Sequence, residues 1–264
     1  MNLKTFYENH TNFSLRFLSE YYISPGIKCK FDILLKHIGN NKIFINSVDL
    51  GCSGNSILTF LDKSQKKSFV DIANIPLNQY LPKKSSNSQR IIKKENWNPL
   101  CGDLMKLPYR DQVFDLIFCL DTLEHIKNDR IAISEISRIL KKKGFVVITV
   151  PHRKKYFTTQ DEIIGHYRRY ELKDLVHLFK RYNLKLLNYY GTYGQLMRIS
   201  KLQPITPNKT ERGILKLRNY YISNQIFRKS WNIINLIISK LMKIDAKYQP
   251  LKRVMNMGLM FQKI

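Results

Sequence analysis

Residues 48–55, Val-Asp-Leu-Gly-Cys-Ser-Gly-Asn, constrain this chain more than any other stretch. An apolar, strand-like run (Ile43 to Leu50) leads into them, and a helix-like run (Ile57, Leu58, Phe60, Leu61) leads out. A strand that ends in small residues and opens directly into a helix leaves a nucleotide-sized hole. Gly51 and Gly54 let a ligand approach the backbone closely, and the first turn of a helix presents unpaired N–H groups. Asp49 adds a carboxylate at the strand end, suited to a cationic or hydroxyl-rich ligand.

Strand-like runs recur at Asn46–Leu50, Phe69–Asp71, Trp97–Cys101, Phe114–Leu120, Gly144–Val150 and Leu184–Tyr190, with helical segments between them. Such alternation predicts a parallel sheet with helices on both faces. The fourth and fifth runs are almost wholly apolar, as strands covered on both faces should be. Ile126–Leu140 reads as a helix burying Ile131, Ile136, Ile139 and Leu140, ending in Lys141-Lys142-Lys143 with Gly144 as its cap. The 264 residues fit one domain with an elaboration. Residues 1–40 form N-terminal helices broken at Pro25-Gly26, 41–190 a core, 195–256 a helical insertion or cap, and 257–264 a closing strand. Residues 82–95 read as a polar, basic surface loop.

The formal charge of +25 invites nucleic acid or an anionic membrane as partner, or reflects a Lys-, Asn- and Ile-rich composition. Residues 195–253 carry thirteen Lys and Arg against Glu211 and Asp245. Their best helix sets Phe227, Trp231, Ile234, Ile238 and Leu241 on one face and Lys229, Lys240, Lys243 and Lys247 opposite. Three readings stay open for it: packing on the core, lying on an anionic membrane through 222–247, or gripping a partner. Cys29, Cys52, Cys101 and Cys119 are far apart, with no C-x-x-C pair, which argues against a zinc ribbon or a disulfide scaffold. No metal site is expected. With no signal-peptide layout and no apolar run of ~20 residues, the chain reads as a reduced, cytoplasmic protein able to touch a membrane.

Further signals follow the glycine turn in a consistent order. Phe69-Val70-Asp71 ends the second strand in a carboxylate, where doubly wound folds place a ribose-hydroxyl partner. Gly102-Asp103-Leu104 follows the third strand, and Leu120-Asp121-Thr122-Leu123-Glu124-His125-Ile126 the fourth. This series resembles the class I S-adenosylmethionine-dependent methyltransferases (methyltransferase type 11/12-like) across residues 45–190. The resemblance implies a Rossmann-like, doubly wound, seven-stranded, mostly parallel sheet with a helical insertion before the last strand. It implies S-adenosyl-L-methionine as cofactor, with Asp49, Gly51, Cys52, Ser53 and Gly54 against its methionine part. Asp71, with Ile72 beside it, falls at the ribose, Asp103 and Leu104 at the adenine, and Cys119 and Leu120 on the floor near the donor. The family pattern Asp-x-Gly-x-Gly-x-Gly is altered here: Ser53 stands at the second glycine, and the third is Asn55 or, with a one-residue slip, Gly54. A dinucleotide site needs G-x-G-x-x-G, whereas the register from Gly51 reads Gly-Cys-Ser-Gly-Asn-Ser.

Methyl transfer needs a base only when the acceptor is an unactivated hydroxyl or a protonated amine. His125, His166 and Asp121 are the candidate catalytic residues, with His152 a further candidate base. In Gly165-His166-Tyr167-Arg168-Arg169-Tyr170, similar to a stretch in methyltransferases of small molecules, glycans or lipid-linked intermediates, two arginines are placed to clamp an anionic group. Asp115, at the start of its strand, reads as structural. The expected activity is methylation of a small-molecule or lipid/glycan-linked acceptor beneath the 195–253 roof. An RNA methyltransferase and a non-catalytic binding module with the same fold are the alternatives.

Overall fold

The computed structural model describes residues 3–9, 20–39, 42–81, 96–197 and 207–264. The expected 82–95 loop and residues 10–19 of the expected N-terminal helical region lie outside the described residues. Strands β1 (Phe44–Leu50), β2 (Ser64–Asp71), β3 (Trp97–Cys101), β4 (Phe114–Leu120), β5 (Leu140–Pro151), β6 (Leu184–Tyr193) and β7 (Asn256–Lys263) form one sheet in the order β3-β2-β1-β4-β5-β7-β6. The first five are mutually parallel, and β7 inserts antiparallel between β5 and β6. The order reverses between β1 and β4, and a doubly wound sheet opens its ligand crevice outside the strand ends at that switch point. This is the expected Rossmann-like architecture.

Helices α1 (Leu3–Asn9), α2 (Glu20–Ile23), α3 (Pro25–Ile38), α4 (Asp129–Ile139), α5 (Thr159–Ile163), α6 (Leu172–Lys180), α7 (Pro207–Ser223) and α8 (Gln225–Tyr248) accompany the sheet. One face packs Ile133, Ile136 and Ile139 of α4 and Leu175 and Phe179 of α6 onto Val48, Ile117, Ile148 and Leu259. The other packs Phe31, Leu34 and Ile38 of α3, with Ile57, Leu58 and Tyr80, onto Phe69, Leu116, Phe118 and Val147. Central strands covered on both faces explain the unbroken apolar runs of β4 and β5. Asp115 is structural as expected: its carboxylate accepts the Ile45 and Asn46 N–H groups and an ion pair from Lys141, fixing the start of β1.

Two local expectations are corrected. No α-helix follows the glycine turn: Ile57–Phe60 make a single 3-10 turn, capped by the Ser56 hydroxyl, and β2 begins four residues later. Asp62, Lys63 and Ser64 follow too soon for an amphipathic helix to develop, so Ile57 and Leu58 bury within the turn itself. The helix expected over 126–140 is α4 alone, preceded by a 3-10 turn at Leu123–His125. Its lysines lie in β5, and Lys143, not Gly144, adopts the left-handed backbone (φ +61°) at a β-bulge against β4. Ile131 faces outward at 44% exposure, and Ala132 and Ile133 take the buried positions.

The 195–256 segment holds α7 and α8 ahead of β7, as expected of an insertion. Its inward face is not the apolar one that packing on the core would use. Asn235, Ser239, Met242 and Ala246 are buried, while Ile234, Ile238 and Leu241 are exposed. Polar bonds fix this orientation: Asn235 Nδ2 donates to the Tyr21 and Tyr22 carbonyls, and Trp231 Nε1 donates to that of Ile23 at 2.9 Å.

Candidate active site

The ends of β1, β2, β4 and β5 open into a cleft of about 490 Å³, within the range of small-molecule and cofactor sites. Its first half is built on the glycine turn. Gly51 has φ +77°, and a Cβ there would stand 2.4 Å from the Thr122 hydroxyl, so only glycine lets β1 turn beneath the end of β4. The Gly51 and Cys52 N–H groups donate to the Val70 carbonyl, and Ser53 N–H donates to Asp71 at 2.8 Å. Ser53 itself has φ +49°, so the serine at the second glycine's position keeps a glycine-like backbone. The buried Tyr80 hydroxyl donates to the Ser53 carbonyl at 2.8 Å, and its ring stacks on Phe69 at 4.1 Å. Tyr80 thus braces the loop from below, where the expected helix is missing.

Asp49 is buried at the base of the turn and accepts the Ser56 hydroxyl. Burial pushes its carboxyl up to about 7, against the lowering effects of Ser56, the Ile57 N–H and Lys30. Asp71 accepts the Ser53 and Ala73 N–H groups, and Asp103 accepts the Met105 N–H at 2.8 Å in a tight turn. Asp49, Gly51, Cys52, Ser53, Asp71, Ile72, Asp103, Leu104 and Leu120 all line the cleft, with Asn55, whose buried side-chain oxygen accepts no hydrogen bond. Gly54 is not among the lining residues. Cys119 is fully buried in the core beneath the cleft and does not line it, a correction that follows from side-chain alternation along β4.

The second half gathers titratable groups. Asp121, just after β4 with φ +49°, is ion-paired to Lys30 of α3 and accepts Thr149 Oγ1 and Asn256 Nδ2, each at 2.8 Å. Burial works to raise its carboxyl, but Lys30 and these donors win and hold it at about 2. An acid committed to three partners is better suited to positioning than to the expected role of a base, and it lines the cleft. His125 Nδ1 lies 3.2 Å from the Gly165 carbonyl and His166 Nδ1 lies 2.9 Å from Asp161. Those oxygens only accept, so both Nδ1 atoms carry hydrogen and Nε2 is the acceptor nitrogen of each neutral ring. The two rings meet edge-on at 4.6 Å, and Tyr7 of α1 packs edge-on against His125 at 5.5 Å. Glu124 stands beside them, with Oε1 3.9 Å from His166 Nε2 and Oε2 buried without a hydrogen-bond partner. Burial pushes its carboxyl well above the usual range. Among the described residues, Glu124, His125 and His166 place donor atoms within 4.8 Å of one another, close enough to converge on one cation or polar group.

The paired arginines do not clamp a ligand together. Arg169 forms a two-bond pair with Asp161 at 2.9 Å, which fixes the carboxylate that orients His166. Arg168 pairs outward with Asp129 at 2.8 Å. His152 is buried, with Nδ1 on the Tyr170 carbonyl, and lies outside the cleft lining. Nor do the described residues of the 195–253 segment form a roof: Met197 alone among them lines the cleft, and Tyr7, Ile27, Phe31, Gln160, Ile164 and Tyr193 close the second half. Sequence reading missed Lys30, Tyr80, Glu124 as a site residue, and Asn256. A lysine between Cys29 and Phe31 on the buried side of α3 was the available signal for Lys30. Asn256 joins the site through β7 pairing, which no local pattern announces.

This sheet order, with the glycine turn and the strand-end carboxylates, defines the class I methyltransferase fold. Residues 48–148 match the family described as a methyltransferase domain. That match spans less than half of the chain. An uncharacterized protein of Methanocaldococcus jannaschii, MJ0638, is 30% identical over 124 residues, 47% of this chain and 48% of the relative. The chain thus matches about half the length of that curated relative. Among solved structures, phosphoethanolamine N-methyltransferase 2 of Haemonchus contortus, in complex with S-adenosyl-L-methionine, superposes with a TM-score of 0.61 at 17% identity. That match covers 100% of this chain and 60% of the other. The N-methyltransferase NodS of Bradyrhizobium japonicum WM9, in complex with S-adenosyl-L-homocysteine, gives 0.55 at 14% identity, covering 74% and 92%.

Proposed function

We propose that this protein is an S-adenosylmethionine-dependent methyltransferase acting on a small-molecule or lipid/glycan-linked acceptor. The observation that carries the reading is the strand-end constellation: a glycine turn, Asp49, Asp71 and Asp103 lining one half of a single cleft, with His125, His166 and Glu124 lining the other. The residues fit the cofactor. Asp71 suits ribose hydroxyls, and Asn55 presents an unsatisfied buried oxygen. Asp49 is an acid whose ionised form a nearby cation would restore.

When bound, S-adenosylmethionine supplies a methyl group on a positively charged sulfur, already activated for displacement. The protein's part is then alignment, exclusion of water and control of the acceptor's proton. Asp161, held by Arg169, keeps His166 in the tautomer whose Nε2 accepts a proton. Gly165 does the same for His125. Either ring can deprotonate an amine or hydroxyl acceptor, and Glu124 offers a buried carboxyl to a polar or cationic acceptor group. The phosphoethanolamine N-methyltransferase among the fold neighbours supports a small-molecule acceptor.

The test is calorimetry with S-adenosylmethionine, followed by tritiated-methyl transfer into cell extract separated into lipid, small-molecule, RNA and protein pools. Micromolar binding, weakened at least about tenfold by Asp71→Ala, is the expected result, the loss of a hydrogen-bonded carboxylate costing ~1.5–3 kcal/mol. Label in the RNA pool, with salt-sensitive RNA affinity, would replace the acceptor assignment. No cofactor binding would leave a non-catalytic module.

A further inference from the structure

Helix α8 is inside out for a surface helix. Its inward face holds Asn235, Ser239, Met242 and Ala246, tied down by Asn235 and Trp231 to the α2 backbone and by Lys243 to Asp32 of α3 at 2.7 Å. Its outward face holds Ile226, Ile233, Ile237 and Ile244, spaced seven, four and seven residues apart and 79%, 62%, 54% and 54% exposed. At 100° per residue these four fall within about 40° of one another, forming one straight ridge. Leu241 and Tyr248 widen it on one side, and Ile222, from the end of α7, adjoins it at the N-terminus. Lys229, Lys240 and Lys247 fall about 40–60° to the other side, a basic row along the apolar ridge. Asp245 is the helix's single acid, and it is spent on the Leu196 N–H and Gln249.

We propose that this face docks on an anionic lipid bilayer, with the axis of α8 lying in the headgroup plane. An apolar ridge edged by lysines suits that interface, where isoleucines enter the acyl boundary and ammonium groups meet anionic headgroups. No described helix is long and apolar enough to cross a membrane, so the contact is peripheral. A second copy of the chain is the poorer occupant. Pairing two such faces brings lysine rows together, and α8 has no outward acid to answer them. The bonds of Asn235, Trp231 and Lys243 prevent the helix from rolling to bury its isoleucines on its own body. Moreover, α8 packs on α3, whose Ile27, Lys30 and Phe31 line the cleft, so docking falls next to the second half of the site.

Vesicle co-sedimentation of the full chain tests this, using phosphatidylcholine alone and phosphatidylcholine mixed with phosphatidylglycerol. Binding should require the anionic lipid and weaken as salt rises. Replacing Lys229, Lys240 and Lys247 with Glu should lower it at least about a hundredfold, given the usual contribution of a juxtamembrane lysine. Ile233→Ser with Ile237→Ser and Ile244→Ser should abolish it. All six side chains are outward, so melting temperature should stay unchanged and identify any misfolded variant. Equal binding to neutral vesicles, or no vesicle binding, would overturn the proposal. So would a dimer in equilibrium sedimentation that the serine variant alone dissolves. The assay needs no cofactor, so its outcome is separate from that of the methyl-transfer test.

Discussion

At the residue scale, Asp49 and Asp121 sit in one cleft and are driven in opposite directions. Burial raises Asp49 to about 7, which costs stability as pH rises from its unfolded value near 4 to 7, because the folded state holds the proton that the unfolded state has released. A cationic ligand reverses that shift. Affinity for S-adenosylmethionine should therefore rise with pH up to about 7 and then level, with proton release on binding. Calorimetry in buffers of different ionisation enthalpy measures that release, and Asp49→Asn should remove it. Asp121 is the opposite case: its carboxyl is depressed to about 2, so its contribution is full above about 4 and lost as pH falls toward 2. Lys30→Met leaves that half-buried carboxylate without its cation. It should destabilise the fold by ~1–2 kcal/mol in denaturant melts at neutral pH, less than a fully buried pair, because Asp121 is partly solvated and keeps its Thr149 and Asn256 donors.

Among elements, the glycine turn stands on a tyrosine rather than on a helix. Tyr80→Phe keeps the stacked ring on Phe69 but deprives the Ser53 carbonyl of its donor, so it should cost ~1 kcal/mol of stability. Cofactor affinity should fall with it, as titration of both variants would reveal. Gly51→Ala should be far more severe, since its Cβ meets Thr122 in a left-handed backbone; a lowered melting temperature is the readout. These elements also mark how far sequence can be read. Strand-end carboxylates and the cleft's first half were legible because each sits beside its own motif. The missing first helix was not, since Ile57, Leu58, Phe60 and Leu61 look helical over a span too short to decide. α8 was misread by about 100° for a related reason. Its apolar residues outnumber its polar ones on the outer side, and Asn235 is inward only because backbone carbonyls of α2 await it.

For the whole molecule, the cleft is assembled from distant segments: Tyr7 and Lys30 from the N-terminal helices, Asp121 and His125 after β4, His166 beyond β5, and Asn256 from β7. Long-range closure of this kind hides the second half of the site from any local pattern. The sheet itself was legible in its first five strands, whose apolar runs follow one another, while the place of β7 between β5 and β6 belongs to topology rather than to composition. That placement has a consequence for how the sheet closes. Among the described residues β6 pairs with β7 alone, and Asn256 opens the strand that lies beside Pro151 and Tyr193. Without residues 256–263 the five parallel strands have a bare edge at β5, and Asp121 loses the Asn256 donor. One strand from far along the chain thus closes the sheet from the inside, and until it pairs both β5 and β6 keep open edges.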